Sequence, residues 1–330
     1  MTTLLKQPWL KNTVLFLSGQ TISLFGSSIV QYAIMWHITR TTDSGLIVGL
    51  SMIVGFLPQV LVGLFGGVLA DRFPRKRLIL IADIAIAGAT LILALIMTSG
   101  YFNLAFILLI SFIRSVGAGI QSPAVSAIIP QIVPQDKLMR VNGVYGSVSS
   151  LISLCAPIVA AFLLANSEFY ILLFLDVLTA IIGVSLLLMV QVEMHELTST
   201  ELNVREDLMS GIHYVRDSLF LKRLMGYYVI MFLLIIPTTM LNVLLVTRSF
   251  SDAYNYLMAN EVAFFVGATL GGIVIAAWGG FKNRLTTFNS GLLVFALTSI
   301  GLAIAALLGY FPLYLAIMLI CGLTMGAFNS

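Results

Sequence analysis

Residues 66–77 read GGVLADRFPRKR, and this short stretch separates two long hydrophobic runs. One run covers residues 45–70 before it, and the other covers residues 78–99 after it. Each is long enough to cross the roughly 30 Å hydrocarbon core of a bilayer, which takes about 20 helical residues. The stretch therefore predicts two membrane-spanning helices joined by a basic loop at one membrane surface.

The composition points to the same environment for the rest of the chain. Of 330 residues, 59% are hydrophobic and only 9% are charged, against about 25% charged in ordinary soluble domains. This excludes a soluble globular protein, which needs a charged surface. The net charge of +3 is too small to indicate a nucleic-acid-binding protein, which neutralises clustered phosphates. We expect the lipid bilayer to be the main partner.

Apolar runs of membrane-spanning length recur along the whole chain. Bounded by charges, Pro, Gly or Asn, they predict ten transmembrane helices. These lie at Thr13–Ile38, Gly45–Ala70, Leu78–Ser99, Leu104–Ile129, Val141–Leu164, Phe169–Val190, Leu224–Val246, Ala253–Trp278, Leu285–Leu308 and Leu313–Ser330.

The basic residues fall mainly on one side of these spans. With a cytoplasmic N-terminus, 14 of the 17 Lys and Arg residues lie in cytoplasmic segments, Arg40 and Arg248 lie in outer loops, and Arg114 lies within a span. Short cytoplasmic loops carry such an excess of positive charge. The pattern predicts a multi-pass protein of the cell (plasma or inner) membrane with its N-terminus in the cytoplasm.

The longest polar connection, residues 191–223, divides the chain. It predicts an N-terminal six-helix bundle over residues 1–190, a cytoplasmic central loop over 191–223, and an incomplete C-terminal bundle over 224–330. Gly66-Gly67 and the basic turn of the first half have a weak counterpart in the second half, where Gly271-Gly272 leads to Lys282 and Arg284. Repeated halves are typical of secondary transporters.

These features resemble the major facilitator superfamily, and within it the macrolide-efflux type of drug:proton antiporter. GGVLADRFPRKR is similar to the signature between the second and third helices of that superfamily. FIRSVGAGIQSPA at 112–124 resembles its fourth-helix motif, and SLCAPIVAA at 153–161 is a weakened form of its fifth-helix antiporter motif. The resemblance implies an all-α fold of two six-helix bundles, with the second truncated here to helices 7–10.

The resemblance also implies a gate in the loop between helices two and three, where the motif locks the two halves in one conformation. The residues that carry this role are Gly67, Asp71, Arg72, Arg75, Lys76 and Arg77. The alternative is simple anchoring, because Asp caps the next helix while Arg and Lys hold the membrane interface.

Arg114 lies about ten residues, or about 15 Å, into the fourth span. A charge at that depth normally faces a cavity or a partner and marks a substrate or ion pathway. The alternative is an Arg that permanently braces two helices. Only Asp83, Asp176 and Glu261 are acidic residues within spans, so at least two carboxyl groups must be protonated, hydrated or otherwise satisfied.

Reversible protonation of such carboxyl groups is what coupling to a proton gradient requires. We interpret Asp83, near the basic turn, as mainly structural. Asp176 lies in a helix that is peripheral in the resembled fold. Glu261, beside Asn260 in the second half, is the first choice for a proton carrier.

Polar side chains at helical spacing mark two candidate cavity walls. Gln20, Ser23, Ser27 and Gln31 form one stripe on the first helix, and Tyr227, Met231, Thr238 and Asn242 lie on the seventh. Helix-to-helix hydrogen bonding explains such a stripe as well as cavity lining does. In the resembled fold, helices one and seven line the cavity.

The sequence contains no nucleophile pattern, no metal-ligand spacing around its two Cys residues and no phosphate-binding G-x-x-x-x-G-K motif. We therefore expect neither enzyme activity nor a cofactor. The sequence predicts a proton-coupled exporter of amphipathic drugs, with macrolides favoured by resemblance alone. The alternatives are a siderophore or metabolite exporter of the same fold, or a truncated membrane protein that does not transport.

Overall fold

The computed structural model describes residues 8–42, 44–100, 103–192, 241–278, 281 and 284–325, with a few isolated positions between 218 and 227. Within these ranges the protein is all-helical. The helices are α1 (Pro8–Thr42), α2 (Gly45–Arg72), α3 (Arg75–Thr98), α4 (Leu104–Ile132), α5 (Leu138–Asn166), α6 (Phe169–Met189), α7 (Asn242–Ser249), α8 (Tyr254–Trp278), α9 (Arg284–Leu307) and α10 (Phe311–Leu323).

Eight of the helices in the described ranges, α1 to α6, α8 and α9, are long and apolar enough to cross a bilayer. α10 is apolar but shorter. The predicted all-α membrane fold is confirmed. The predicted central loop and most of the predicted seventh span lie outside the described residues.

α1 and α4 are longer than predicted. α1 begins at Pro8, a residue favoured in the first turn of a helix, and it continues beyond the apolar run to Thr42. Hydrophobicity marks the part of a helix inside the bilayer, whereas backbone hydrogen bonding carries the helix further on either side.

The chain forms two compact units, the first containing α1 to α6 and the second containing α7 to α10. In the first unit, α6 packs against α1 and α3, while α3 also packs against α4 and α1 packs against α5. Large apolar side chains on the outer faces, such as Ile81, Leu95 and Ile181, are exposed, as expected for surfaces in contact with lipid.

Glycines bring the helices of the first unit close together. A Cβ atom on Gly183 of α6 would lie 2.9 Å from the carbonyl oxygen of Gly19 on α1. On α4, Gly117 faces Ile86 of α3, and Gly119 lies against Gln59 of α2. Small residues at such contacts are typical of membrane helix packing, and they give the glycines of the 112–124 motif a structural role.

In the second unit, α8 packs against α10. Gly267 and Gly271 of α8 face the backbone of α10 at Leu319 and Leu323, and Gly322 of α10 faces the backbone of α8. This contact leaves no room for side chains at the three glycines.

Equivalent glycines end the third helix of each unit. Gly100 follows α3 with a φ of 73°, and Gly309 follows α9 with a φ of 66°. Each donates its N–H to a carbonyl of the preceding last turn, Gly100 to Met97 and Gly309 to Ala306, both at 3.1 Å. This left-handed helix ending favours glycine, and its recurrence agrees with the internal repeat.

Candidate functional site

A buried ion pair lies at the centre of the first unit. Arg114 of α4 pairs with Asp176 of α6 through Nη1 and Oδ2. Their side chains are 5% and 0% exposed. The fourth helix thus brings its predicted Arg to a carboxylate on the sixth.

Neighbouring polar groups form further hydrogen bonds with this pair. The Ser27 hydroxyl donates to Asp176 Oδ1 at 2.8 Å, and the Thr90 hydroxyl donates to Asp176 Oδ2 at 3.0 Å. Arg114 Nη1 donates to the Thr90 hydroxyl, and its Nη2 donates to the Ser27 carbonyl at 3.1 Å. We call Ser27, Thr90, Arg114 and Asp176 the Arg114 layer.

A second polar cluster surrounds Asp83 of α3. Its Oδ1 accepts hydrogen bonds from Ser23 Oγ at 3.1 Å and from Gln121 Nε2 at 2.7 Å. Gln20 of α1 lies beside the same carboxylate and accepts a 3.5 Å hydrogen bond from Gln121. We call Gln20, Ser23, Asp83 and Gln121 the Asp83 layer.

The two layers are stacked along the bundle. Asp83 and Thr90 are seven residues apart on α3, as are Gln121 and Arg114 on the oppositely directed α4. Seven residues correspond to about 10 Å, or two helical turns. The four helices α1, α3, α4 and α6 therefore enclose a polar column in an otherwise apolar bundle.

The column is unbalanced in charge and in hydrogen bonds. It contains two carboxyl groups and one guanidinium, and that guanidinium is paired with Asp176. Asp83 Oδ2, Gln20 Nε2 and Arg114 Nε are buried without a hydrogen-bond partner among the described residues. An uncompensated buried carboxylate is costly, so the column is suited to taking up a positive charge.

An apolar cluster closes one end of the column. Phe16 lies one turn from Gln20 on α1, Ile79 lies one turn from Asp83 on α3, and both pack with Val125, Ile128 and Leu187. At Gln121, in contrast, the column is only partly buried. The Asp83 layer is therefore least buried at its α4 member.

The basic turn between α2 and α3 ties helix ends together within the first unit. Arg75 donates from Nε to the Ala70 carbonyl at 3.0 Å and from Nη1 to the Ala127 carbonyl at 2.7 Å. Lys76 Nζ donates to the carbonyls of Leu188 and Val190 at 2.9 and 2.7 Å. These contacts link the start of α3 to the ends of α2 and α6 and to α4.

The other predicted gate residues occupy the same turn. Gly67 and Asp71 belong to α2, and the Asp71 side chain lies outside the described residues. Arg72 and Arg77 are exposed. Arg75 and Lys76 thus link helix ends within the first unit, and both the gating role and simple anchoring stay predictions.

The predicted stripe on α1 divides between different neighbours. Gln20 and Ser23 belong to the Asp83 layer, and Ser27 belongs to the Arg114 layer. Gln31 faces α2, where a Cβ atom on Gly55 would lie 3.0 Å from its Nε2. Within the described residues, the first three meet polar groups of the bundle.

A smaller polar cluster lies in the second unit. Asn242 Nδ2 donates to Asn260 Oδ1 at 3.1 Å, and the Tyr314 hydroxyl donates to Asn242 Oδ1. Glu261 is half-buried and lies near Asn260 and Tyr314. Asn260 Nδ2 is buried without a hydrogen-bond partner among the described residues.

This cluster adjoins a cavity of about 480 Å³. Asn242 and Arg248 of α7 line it together with Leu302 of α9. Of the other residues predicted on the seventh helix, Tyr227 is 51% exposed, and Met231 and Thr238 lie outside the described residues.

Sequence reasoning missed Thr90, Gln121 and Tyr314 as members of these clusters. The spacing of seven residues from Asp83 to Thr90 and from Arg114 to Gln121 is the signal that places Thr90 and Gln121 on the same faces as the charged residues. Tyr314 had no such signal, because an aromatic residue in an apolar helix is ordinary packing.

Comparison with known proteins places the chain in a family. The family model described as Major Facilitator Superfamily matches residues 16–330. Macrolide efflux protein A of Streptococcus pyogenes is 27% identical over 314 residues, covering 94% of this chain and 76% of the relative. Macrolide efflux protein A of Enterococcus faecalis is 26% identical over 288 residues, covering 86% of each chain.

Solved structures agree on the fold. The nucleoside transporter NupG superposes with a TM-score of 0.72 at 14% identity, covering 97% of this chain and 81% of that one. The family model covers more than half of the chain, and the chain therefore belongs to the major facilitator superfamily and is a membrane transporter, not an enzyme.

Proposed function

We propose that this transporter is a proton-coupled exporter of amphipathic organic compounds, with macrolides the favoured substrates. It works by alternating access in the cell membrane, with its N-terminus in the cytoplasm, and its activity contributes to antibiotic resistance. The single observation that carries the proton coupling is the polar column, in which the described residues place two buried carboxyl groups but one guanidinium, and that guanidinium pairs with Asp176 and not with Asp83.

The column supports coupling through its chemistry. Arg114 and Asp176 neutralise each other, so Asp83 is the carboxyl group of the column that gains most from a proton. Binding of a proton to Asp83 removes the charge imbalance of the column, and release of the proton restores that imbalance. Such a change in charge alters how the surrounding helices pack, which is the physical basis for linking an ion gradient to a conformational change.

The cluster in the second unit supports a role in substrate contact. Asn242, Asn260 and Tyr314 provide hydrogen-bonding groups among apolar residues, a combination that suits amphipathic ligands. Glu261, the first choice for a proton carrier from the sequence, lies beside them, and it stays a candidate for proton exchange next to Asp83, which the sequence alone had marked as mainly structural. Glu261→Gln removes the ionisable group at nearly constant size. If this variant still exports drug when driven by a pH gradient, Glu261 does not exchange the coupling proton.

Drug susceptibility tests the function as a whole. Expression of the protein in a susceptible host should raise the inhibitory concentration of a macrolide. It should also lower the amount of labelled drug inside the cells, and a proton uncoupler should abolish this lowering. An intracellular drug level that stays low in the presence of the uncoupler would contradict proton coupling. Unchanged susceptibility, with a siderophore or metabolite retained in cells that lack the protein, would favour the alternative exporter.

A further inference from the structure

The Asp83 layer has the oxygen ligands of a small cation site. Asp83 provides a carboxylate, Ser23 a hydroxyl, and Gln20 and Gln121 amide groups, contributed by three helices. Asp83, Gln20 and Ser23 are 2%, 3% and 3% exposed. Carboxylate, hydroxyl and amide oxygens are the ligands that hard cations prefer.

Two groups in this layer lack the partners they need. Asp83 Oδ2 and Gln20 Nε2 are buried without a hydrogen-bond partner among the described residues. Rotation of a side-chain amide by a half turn exchanges its oxygen and nitrogen. That rotation in Gln20 and Gln121 turns two further oxygens toward the carboxylate, and a cation among these atoms satisfies the bare Oδ2.

The surrounding charges select a cation with one positive charge. On the elements packed against Asp83, the charged side chains that face it within the described residues are Asp176 and Arg114, and these form an ion pair. The net charge of the column is therefore one negative charge. A monovalent cation neutralises it, whereas a divalent cation leaves an uncompensated positive charge in a low-dielectric interior.

Within the Asp83 layer, the least buried side chain is that of Gln121 on α4. The apolar cluster around Phe16 and Ile79 closes one end of the column, and Gln121 is partly exposed on the α4 side. The α4 side is therefore the side from which we expect an ion to approach Asp83, with rotation of the Gln121 amide.

We propose that the Asp83 layer binds a single alkali cation of the size of Na⁺ or Li⁺, in competition with a proton. This deepens the proposed function by naming the ion chemistry of the column, and it rests on that function only for the role of the ion in coupling. Binding itself is measured without any transported drug.

Thermal unfolding of the purified protein in detergent tests the binding. Unfolding midpoints are compared in sodium, lithium, potassium and choline chloride at equal ionic strength and alkaline pH. A cation that binds only the folded state raises the midpoint. We expect Na⁺ and Li⁺ to raise it by about 3 °C over choline at about ten times the dissociation constant. The shift should shrink at acidic pH, because protons compete.

Three variants identify the site. Asp83→Asn should lose the sodium-dependent shift, and in choline chloride it should be at least as stable as the unmodified protein, because it removes a buried charge. Ser23→Ala keeps the carboxylate and should weaken sodium binding several-fold. Asp136→Asn, at an exposed carboxylate of the same unit, should keep the full shift.

Equal midpoints in all four salts would overturn the proposal, and so would a full sodium shift in Asp83→Asn. Stabilisation by acid alone, with no effect of any alkali cation, would also overturn it while leaving the proton as the ion of the column. Loss of drug export with an intact sodium shift would refute the proposed function and leave the cation site standing.

Discussion

At the scale of single residues, the central feature is the ion pair of Arg114 and Asp176. The sequence predicted a buried Arg and three candidate acids, because charges inside apolar runs are visible without a structure. It could not choose among Asp83, Asp176 and Glu261, since spacing along a helix fixes a face of that helix but not its neighbour. The structure joins Arg114 to Asp176 and places Asp83 two turns away.

Removal of one member of this pair should destabilise the first unit strongly. Arg114→Leu leaves Asp176 as an uncompensated buried charge, and we expect it to lower the free energy of unfolding by about 3–5 kcal/mol. Asp176→Leu should have a similar effect. Unfolding by denaturant in detergent measures both values.

The double variant provides the control. Arg114→Leu combined with Asp176→Leu removes both charges. The double variant should therefore lower the free energy of unfolding by much less than the sum of the two single decreases. A decrease equal to that sum would contradict a direct interaction between the two side chains.

At the scale of helices, the apolar runs predicted the elements because the bilayer requires about 20 apolar residues for each span. They did not predict how the helices pack. Glycine spacing suggested only a repeat, whereas the structure shows close contacts of Gly183 with α1 and of Gly267 and Gly271 with α10. Such contacts depend on the rotation of two helices about their axes, which a single sequence leaves open.

Gly183 and Gly88 form a matched pair for testing helix packing. A Cβ atom on Gly183 meets Gly19 and Ser23 of α1 at 2.9 Å, whereas one on Gly88 of α3 meets nothing within 4 Å. Gly183→Ala should therefore lower stability by about 1–3 kcal/mol through overpacking. Gly88→Ala should be neutral or stabilising by up to about 1 kcal/mol.

Unfolding midpoints of the two variants, measured side by side, check this prediction. Equal effects of the two substitutions would show that α1 and α6 do not pack as closely in the membrane as the structure indicates.

At the scale of the whole molecule, composition and the charge asymmetry predicted a multi-pass membrane protein. The repeated halves indicated a secondary transporter, and the 66–77 motif pointed to its family. The polar stripe on α1 was open to two interpretations, cavity lining and helix-to-helix hydrogen bonding. Ser23 and Ser27 donate to carboxylates of α3 and α6, contacts that bring together residues far apart in sequence. The spacing of residues within one helix does not predict such contacts between helices that are distant in sequence.

The gate predicted from the resemblance is tested by Asp71→Asn. This substitution removes one charge at constant size and should abolish drug export while membrane insertion and protein level stay unchanged. Immunoblots of isolated membranes measure insertion and protein level, and drug accumulation in the same cells measures export. Unchanged export would remove the gating role and leave the α2–α3 turn as an anchor.

Ion coupling through the polar column is tested most directly by drug accumulation in everted membrane vesicles under an imposed pH gradient, compared between the unmodified protein and Asp83→Asn. We expect the unmodified protein to accumulate a macrolide against its concentration gradient. Asp83→Asn should lose that accumulation while still exchanging labelled for unlabelled drug across the membrane. Uphill accumulation by Asp83→Asn at the unmodified rate would contradict ion coupling through the polar column.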